Sequence, residues 1–168
     1  MDTNKTTEDV QATTDRLLTT LSGFSEERFN TRSSTGRWSA GDIAEHLYIL
    51  DTRVNKILQQ PALPAERPHD QKAGMIESSL LDRNQKYTVP DFIRPSTTEK
   101  DQQEIISKLQ AERQELIHIV QSIDLTEMVS TNHIRLGSLT RLEWIYFSIY
   151  HTQRHIAQLE ELKKEIPA

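Results

Sequence analysis

The stretch Y-H-T-Q-R-H-I-A-Q-L, residues 150–159, carries two histidines four positions apart, His151 and His155. On a helix that spacing puts two imidazoles on successive turns of one face, where both can reach a single ion. Both lie within about 20° of Trp144 and Leu162 on a helical wheel, so they point toward a core. Two polar rings side by side in an apolar stripe are costly unless each finds a partner. Hydrogen-bonded core residues are one solution and a shared divalent cation is the other.

A third histidine, His46, lies three positions after Ile43 and four before Leu50, on the edge of another apolar stripe. Inward-facing residues of different helices meet inside a bundle, which is where bundle metal sites are assembled. Three neutral imidazoles around a divalent ion leave a fourth position for water, the layout of a catalytic rather than a closed structural site. Such a donor set accepts zinc, nickel, copper, cobalt or iron without excluding any. The other histidines are weaker candidates. His69 falls in a proline-rich loop and is expected to be solvated; His118 stands between Ile117 and Ile119, off its helix's stripe; His133 lies in a loop that could overhang the site. Gln158, one turn after His155, is a candidate for orienting a bound cofactor or nucleophile, with an ordinary interhelical hydrogen bond as the plain alternative. Glu45 adjoins His46 but points about 100° away, toward solvent. Trp38 is expected to pack across the start of its helix rather than to line a pocket. No Asp or Glu stands out as a general base, so no catalytic residue is assigned.

The elements that must position these side chains follow from apolar residues three and four apart. A first helix is expected over about Thr7–Ser22, with Val10, Leu17, Leu18, Leu21 and Phe24 in its stripe. A second should start at Ser39, where Ser39 and Asp42 form a capping pattern, with Ile43, Leu47, Leu50, Val54 and Ile57 facing inward until Pro61 ends it. Five of the six prolines lie between residues 61 and 95. That segment therefore reads as a long crossover loop, with one short helix around Met75, Ile76, Leu80 and Leu81. A third helix is expected from Thr98, where Thr98 and Asp101 repeat the capping pattern, with Ile105, Leu109, Leu116, Val120 and Ile123 as its core face. Gly137 marks a turn, and the fourth helix runs from near Thr140 to about Lys164, with Glu143 in the box position. The fold class is all-α: a four-helix bundle in a single domain over residues 1–168, with the proline-rich crossover between helices two and three.

Composition narrows the function classes. Lys plus Arg number 20 and Asp plus Glu 25, a net charge of −5, and no basic run occurs, so nucleic acid is not the expected partner. No apolar stretch is long enough to cross a membrane, and the first residues lack a secretory h-region, which fits the cytoplasm. The chain has no cysteine, so disulfides, Cys-ligated zinc and a protein thiol nucleophile are excluded. Any thiol chemistry must take its sulfur from a small molecule.

Three segments in order, W-S-A-G-D-I-A-E-H-L at 38–47, G-S-L-T at 137–140 and H-T-Q-R-H-I-A-Q-L at 151–159, resemble the DinB-like superfamily over essentially the whole chain. The likeness is greatest to its YfiT-like, bacillithiol-transferase-like branch. The resemblance implies a four-helix bundle whose divalent ion, zinc or nickel, is held by His46, His151 and His155. It also implies a metal-dependent hydrolase, or a transferase of a low-molecular-weight thiol, acting on a small electrophilic substrate, and in some members a homodimer. Two alternatives stand beside it: a non-catalytic metal-binding or stress-related bundle without turnover, and a plain bundle that dimerises through an exposed helix face. Specificity should then depend on the Pro61–Pro95 crossover and the Thr126–Leu136 loop.

Overall fold

Capping chemistry sets the main helix boundaries. In the computed structural model, which describes residues 3–166, the Ser39 hydroxyl accepts from the backbone N–H of Asp42 and the Asp42 carboxylate accepts from that of Ser39, both at 3.1 Å. This reciprocal box opens helix α3 (Ala40–Leu58), and Thr140 with Glu143 repeats it at the start of α6 (Arg141–Glu165). Helix α1 spans Thr3–Ser22, beginning four residues earlier than the apolar pattern indicated, and a single turn, α2, follows at Glu26–Phe29. Helix α5 (Gln102–Ser122) is capped by Asp101, whose side chain accepts from Glu104 N at 2.8 Å, and not by Thr98 as expected. Thr98 instead lies in the loop, sharing a hydrogen bond with Ser96. Residues 1–2 and 167–168 of the expected domain lie outside the described range.

The four long helices, α1, α3, α5 and α6, form the bundle: α3 packs on α5 and α6, and α1 packs on the same two. The α3–α5 connection holds the short helix expected there, α4 (Ala73–Leu81), which lies against α6, and a 3₁₀ turn at Asp91–Ile93 against α3. Two-residue strands, β1 (Ala62–Leu63) and β2 (Met128–Val129), pair antiparallel with Ala62 opposite Val129. They tie the start of this connection to the loop preceding α6. Gly137 makes the expected turn in that loop with φ +69°, a left-handed conformation open to glycine at little cost. No helix among the described residues is long and apolar enough to cross a membrane.

The core is divided in two. One cluster gathers Val10, Leu50, Val54, Leu116, Ile119 and Ile145; the other gathers Leu17, Leu21, Ile43, Leu47, Leu109 and Ile156. Burying each such side chain contributes ~1.5–3 kcal/mol relative to exposure. On α3 the buried face ends on Leu58 rather than on Ile57, which is only partly covered. Between the clusters every long helix contributes a buried polar group: Thr13 and Thr14 from α1, Asp51 from α3, Arg113 from α5 and Thr152 from α6. Arg113, with no exposed surface, donates from Nε to the Asp51 carboxylate at 2.8 Å and from Nη2 to the Thr152 hydroxyl. Burial pushes the Asp51 carboxyl up, against the pull of the neighbouring guanidinium. The threonines of α1 satisfy themselves by bonding back to the carbonyls of Asp9 and Val10 at 2.8 Å.

Candidate metal centre

Helices α3 and α6 bring three imidazoles together beside this polar layer. His46 lies in the second turn of α3, just beyond the capping box, while His151 and His155 stand one turn apart on α6. The Nε2 atoms of His46 and His151 are 3.4 Å apart, and those of His155 and His151 are 3.3 Å apart. All three ligand atoms lie within 4.8 Å of one another. Two imidazole nitrogens at about 2.05 Å from a tetrahedral ion would stand about 3.3 Å apart.

The partners of the other ring nitrogens fix which atoms carry protons. His46 Nδ1 is 2.7 Å from the Ile93 carbonyl oxygen. A carbonyl only accepts, so His46 Nδ1 donates and its Nε2 is left as a bare lone pair. His155 Nδ1 is 2.9 Å from Gln158 Oε1, which fixes the same tautomer. Two lone pairs are thus aimed at His151 Nε2, and a single N–H there could satisfy at most one of them. A cation at the convergence would satisfy all three, so the donor set fits a divalent metal.

Electrostatics favours the neutral, ligating form. Burial lowers the pKa of His46, with the Ile93 hydrogen bond opposing the shift. Burial, followed by the charge each would feel from neighbouring imidazoles, pushes His151 and His155 well below the usual histidine range. The His151 ring, whose Nδ1 is buried without a partner among the described residues, is braced by stacking on Phe147 at 5.4 Å between centroids.

The remaining side of the cluster opens on a cavity of about 430 Å³. Trp38 lines it, contrary to expectation, with its ring 5.0 Å from that of His46 and stacked 6.5 Å from that of His155. Trp38 immediately precedes the capping box, which sets its indole against the two imidazoles. Gln158 also lines the cavity, and its oxygen is committed to His155 within α6 rather than to another helix.

The other histidines lie elsewhere. His118 is exposed. His69 is half-buried rather than fully solvated, because the Thr140 hydroxyl donates to its carbonyl at 2.6 Å and holds the loop against α6. His133 is buried, and its Nδ1 accepts from the backbone N–H groups of Arg135 and Leu136, each at 3.2 Å. Its role is to order the loop, with its ring edge-on to Phe147 at 4.5 Å. Glu45 is half-buried at the surface, where it accepts from the Ser96 backbone at 2.6 Å and secures the segment preceding α5. The Asp51–Arg113 pair escaped the sequence reading, although both residues occupy core phase. Asp51 lies four after Leu47, and Arg113 lies four after Leu109 and three before Leu116.

A profile of the DinB superfamily matches residues 9–159. The uncharacterized protein YuaE of Bacillus subtilis (strain 168) is 28% identical over 151 residues, covering 87% of this chain and 90% of YuaE. Two solved structures share the fold at 16% identity and a TM-score of 0.62. TT2238, a four-helix bundle protein, covers 95% of this chain and 99% of its own. YfiT from Bacillus subtilis, described as a probable metal-dependent hydrolase with an unusual four-helix bundle topology, covers 96% of this chain and 86% of its own.

Proposed function

The chain belongs to the DinB superfamily, and we propose that it is a metal-dependent enzyme whose divalent ion, zinc or nickel, is held by His46, His151 and His155. The observation that carries this reading is the convergence of three Nε2 atoms, two of them bare lone pairs by the tautomers that Ile93 and Gln158 impose. The description of YfiT as a probable metal-dependent hydrolase agrees with it. A closed structural site would complete itself with a fourth protein ligand, whereas this cluster of three faces a cavity. When bound, the ion would lower the pKa of a thiol or water at its open position toward neutrality.

The chain's own residues have separate tasks. The Ile93 carbonyl and the Gln158 amide oxygen hold the His46 and His155 rings in the ligating tautomer. Trp38 covers one flank of the imidazoles and keeps bulk water from that side. The Gln158 NH₂ group remains available to a small-molecule cofactor. No Asp or Glu lines the cavity among the described residues, so the chain offers no carboxylate base there. Because it also lacks cysteine, a low-molecular-weight thiol or water is the nucleophile we assign, reacting with a small electrophile. A single cytoplasmic domain assembled as a homodimer completes the proposal, with light scattering as the check on assembly.

Cobalt substitution tests the open position. Co²⁺-loaded protein should show tetrahedral d–d bands that change when 2-mercaptoethanol is added. A spectrum indifferent to thiol and to other small ligands would contradict an exchangeable position.

A further inference from the structure

The chain carries a net charge of −5, yet the cavity over the three histidines is lined by five basic residues, Arg37, Arg83, Lys86, Arg135 and Arg154, and by no acid. Two of the five are neutralised nearby: Arg37 pairs with Glu161 and Glu165, and Arg83 pairs with Glu161 at 2.8 Å. The other three have no carboxylate partner among the described residues. Arg154 spends its donors on backbone carbonyls, those of Leu80 at 3.0 Å and Asp82 at 2.8 Å, so its hydrogen bonds are satisfied without an ion pair.

Tyr87 joins two of these cations. The Arg135 guanidinium lies 3.8 Å from the Tyr87 ring centroid and that of Arg154 lies 5.1 Å from it. The ring is itself fixed, since the Tyr87 hydroxyl donates to the Ser79 carbonyl at 2.8 Å. Two guanidinium groups on one anchored ring, with no acid between them, repel one another until an anion arrives. A planar guanidinium presents paired donors that match a carboxylate or phosphate.

Resting on the reading of the three histidines as a metal centre, we propose that the substrate or co-substrate of this cavity is a small molecule bearing a carboxylate or phosphate group. Arg135 and Lys86 receive that group at the mouth, in the field of Arg154, while the reactive end reaches the histidines. Arg135 and Lys86 make no side-chain hydrogen bond to the rest of the fold among the described residues, and Arg135, held only by its stacking on Tyr87, keeps its donors open to a ligand.

The test is isothermal titration of Co²⁺-loaded and metal-free protein with mercaptosuccinate, a dianionic thiol, and with 1-thioglycerol, a neutral one. Loaded wild-type protein should bind mercaptosuccinate at least about tenfold more tightly than 1-thioglycerol, and added salt should erode the preference. The variants Arg135→Gln and Lys86→Gln should each reduce that preference about threefold, leaving the 1-thioglycerol affinity unchanged. Because carboxylates also bind metals directly, these variants decide the matter: a preference that survives the double substitution overturns the proposal, as does equal affinity for the two thiols in wild type. If Co²⁺ fails to bind, the metal reading fails by itself. Mercaptosuccinate binding to the metal-free protein, lost in the double variant, would then uphold the anion site, and no such loss would overturn it. Displacement by inorganic phosphate assigns the group as phosphate, and resistance to it assigns a carboxylate.

Discussion

His46 Nε2 lies 3.4 Å from His151 Nε2 across the α3–α6 interface, while His46 Nδ1 lies 2.7 Å from the Ile93 carbonyl. One ring thus links the bundle interior to the 3₁₀ turn of the crossover. The crossover thereby fixes the tautomer that leaves His46 Nε2 bare toward the other two imidazoles, so a change in the loop is felt at the cluster.

Gln158 has the same relation to His155 from within α6. Replacing it with Leu keeps the volume but removes the acceptor that holds His155 Nδ1 protonated. Metal affinity, measured by competition with a chromophoric chelator, should fall about 10–100-fold while the three ligands remain. Wild-type affinity in Gln158→Leu would show that the hydrogen bond is incidental.

The Asp51–Arg113 pair makes a stability prediction independent of metal. Asp51→Ala leaves a guanidinium buried without its carboxylate and should cost about 3–5 kcal/mol in denaturant unfolding. Replacing both partners with apolar residues, Asp51→Leu with Arg113→Met, should recover most of that loss. A single variant as stable as wild type would mean that Thr152 and buried water suffice for Arg113.

Acid should destabilise the metal-free protein progressively. Burial and the Arg135 charge lower His133 to about 4, so the fold holds it neutral. Its contribution is full above its unfolded pKa of about 6.5 and shrinks as pH falls from there toward about 4. Burial opposes ionisation of Glu143, but hydrogen bonds from Arg67, Thr140 and Lys72 outweigh it and leave the carboxyl below its usual range. Its contribution is present above an unfolded pKa of about 4.3 and is lost as pH falls through the lower folded value. The His133 contribution should therefore lower the melting temperature below about pH 6.5, opposed below about 6 by Asp51, whose raised carboxyl gains stability as it protonates, and Glu143 should add a drop below about 4. In Glu143→Gln only the last drop should weaken. An Asp51→Asn variant whose melting temperature is unchanged between pH 7 and pH 4.5 would contradict the His133 assignment.

Much of this was legible in the residues. The Ser39–Asp42 and Thr140–Glu143 boxes announced two helix starts, and the His151–His155 spacing announced two imidazoles on one helix face, because both are local patterns of three or four residues. Thr98 misled because it shares the Thr-x-x-Asp spacing with a true cap, while Asp101 competes for the same helix one turn later. Trp38 and Ile93 were not legible as parts of the site, since their contacts depend on how the crossover folds back over α3. Arg113 was legible in principle: a charge at core phase between Leu109 and Leu116 requires a buried partner, and Asp51 was the core-phase acid available to it.

The central claim is that three histidines hold one ion, and elemental analysis of untagged protein beside His151→Ala tests it most directly. About one divalent ion per chain in wild type is expected, with none in the variant and helical circular dichroism retained, since the two apolar clusters do not depend on the site. Wild-type protein that takes up no metal after reconstitution, or a variant that keeps its ion at full affinity, would contradict the assignment.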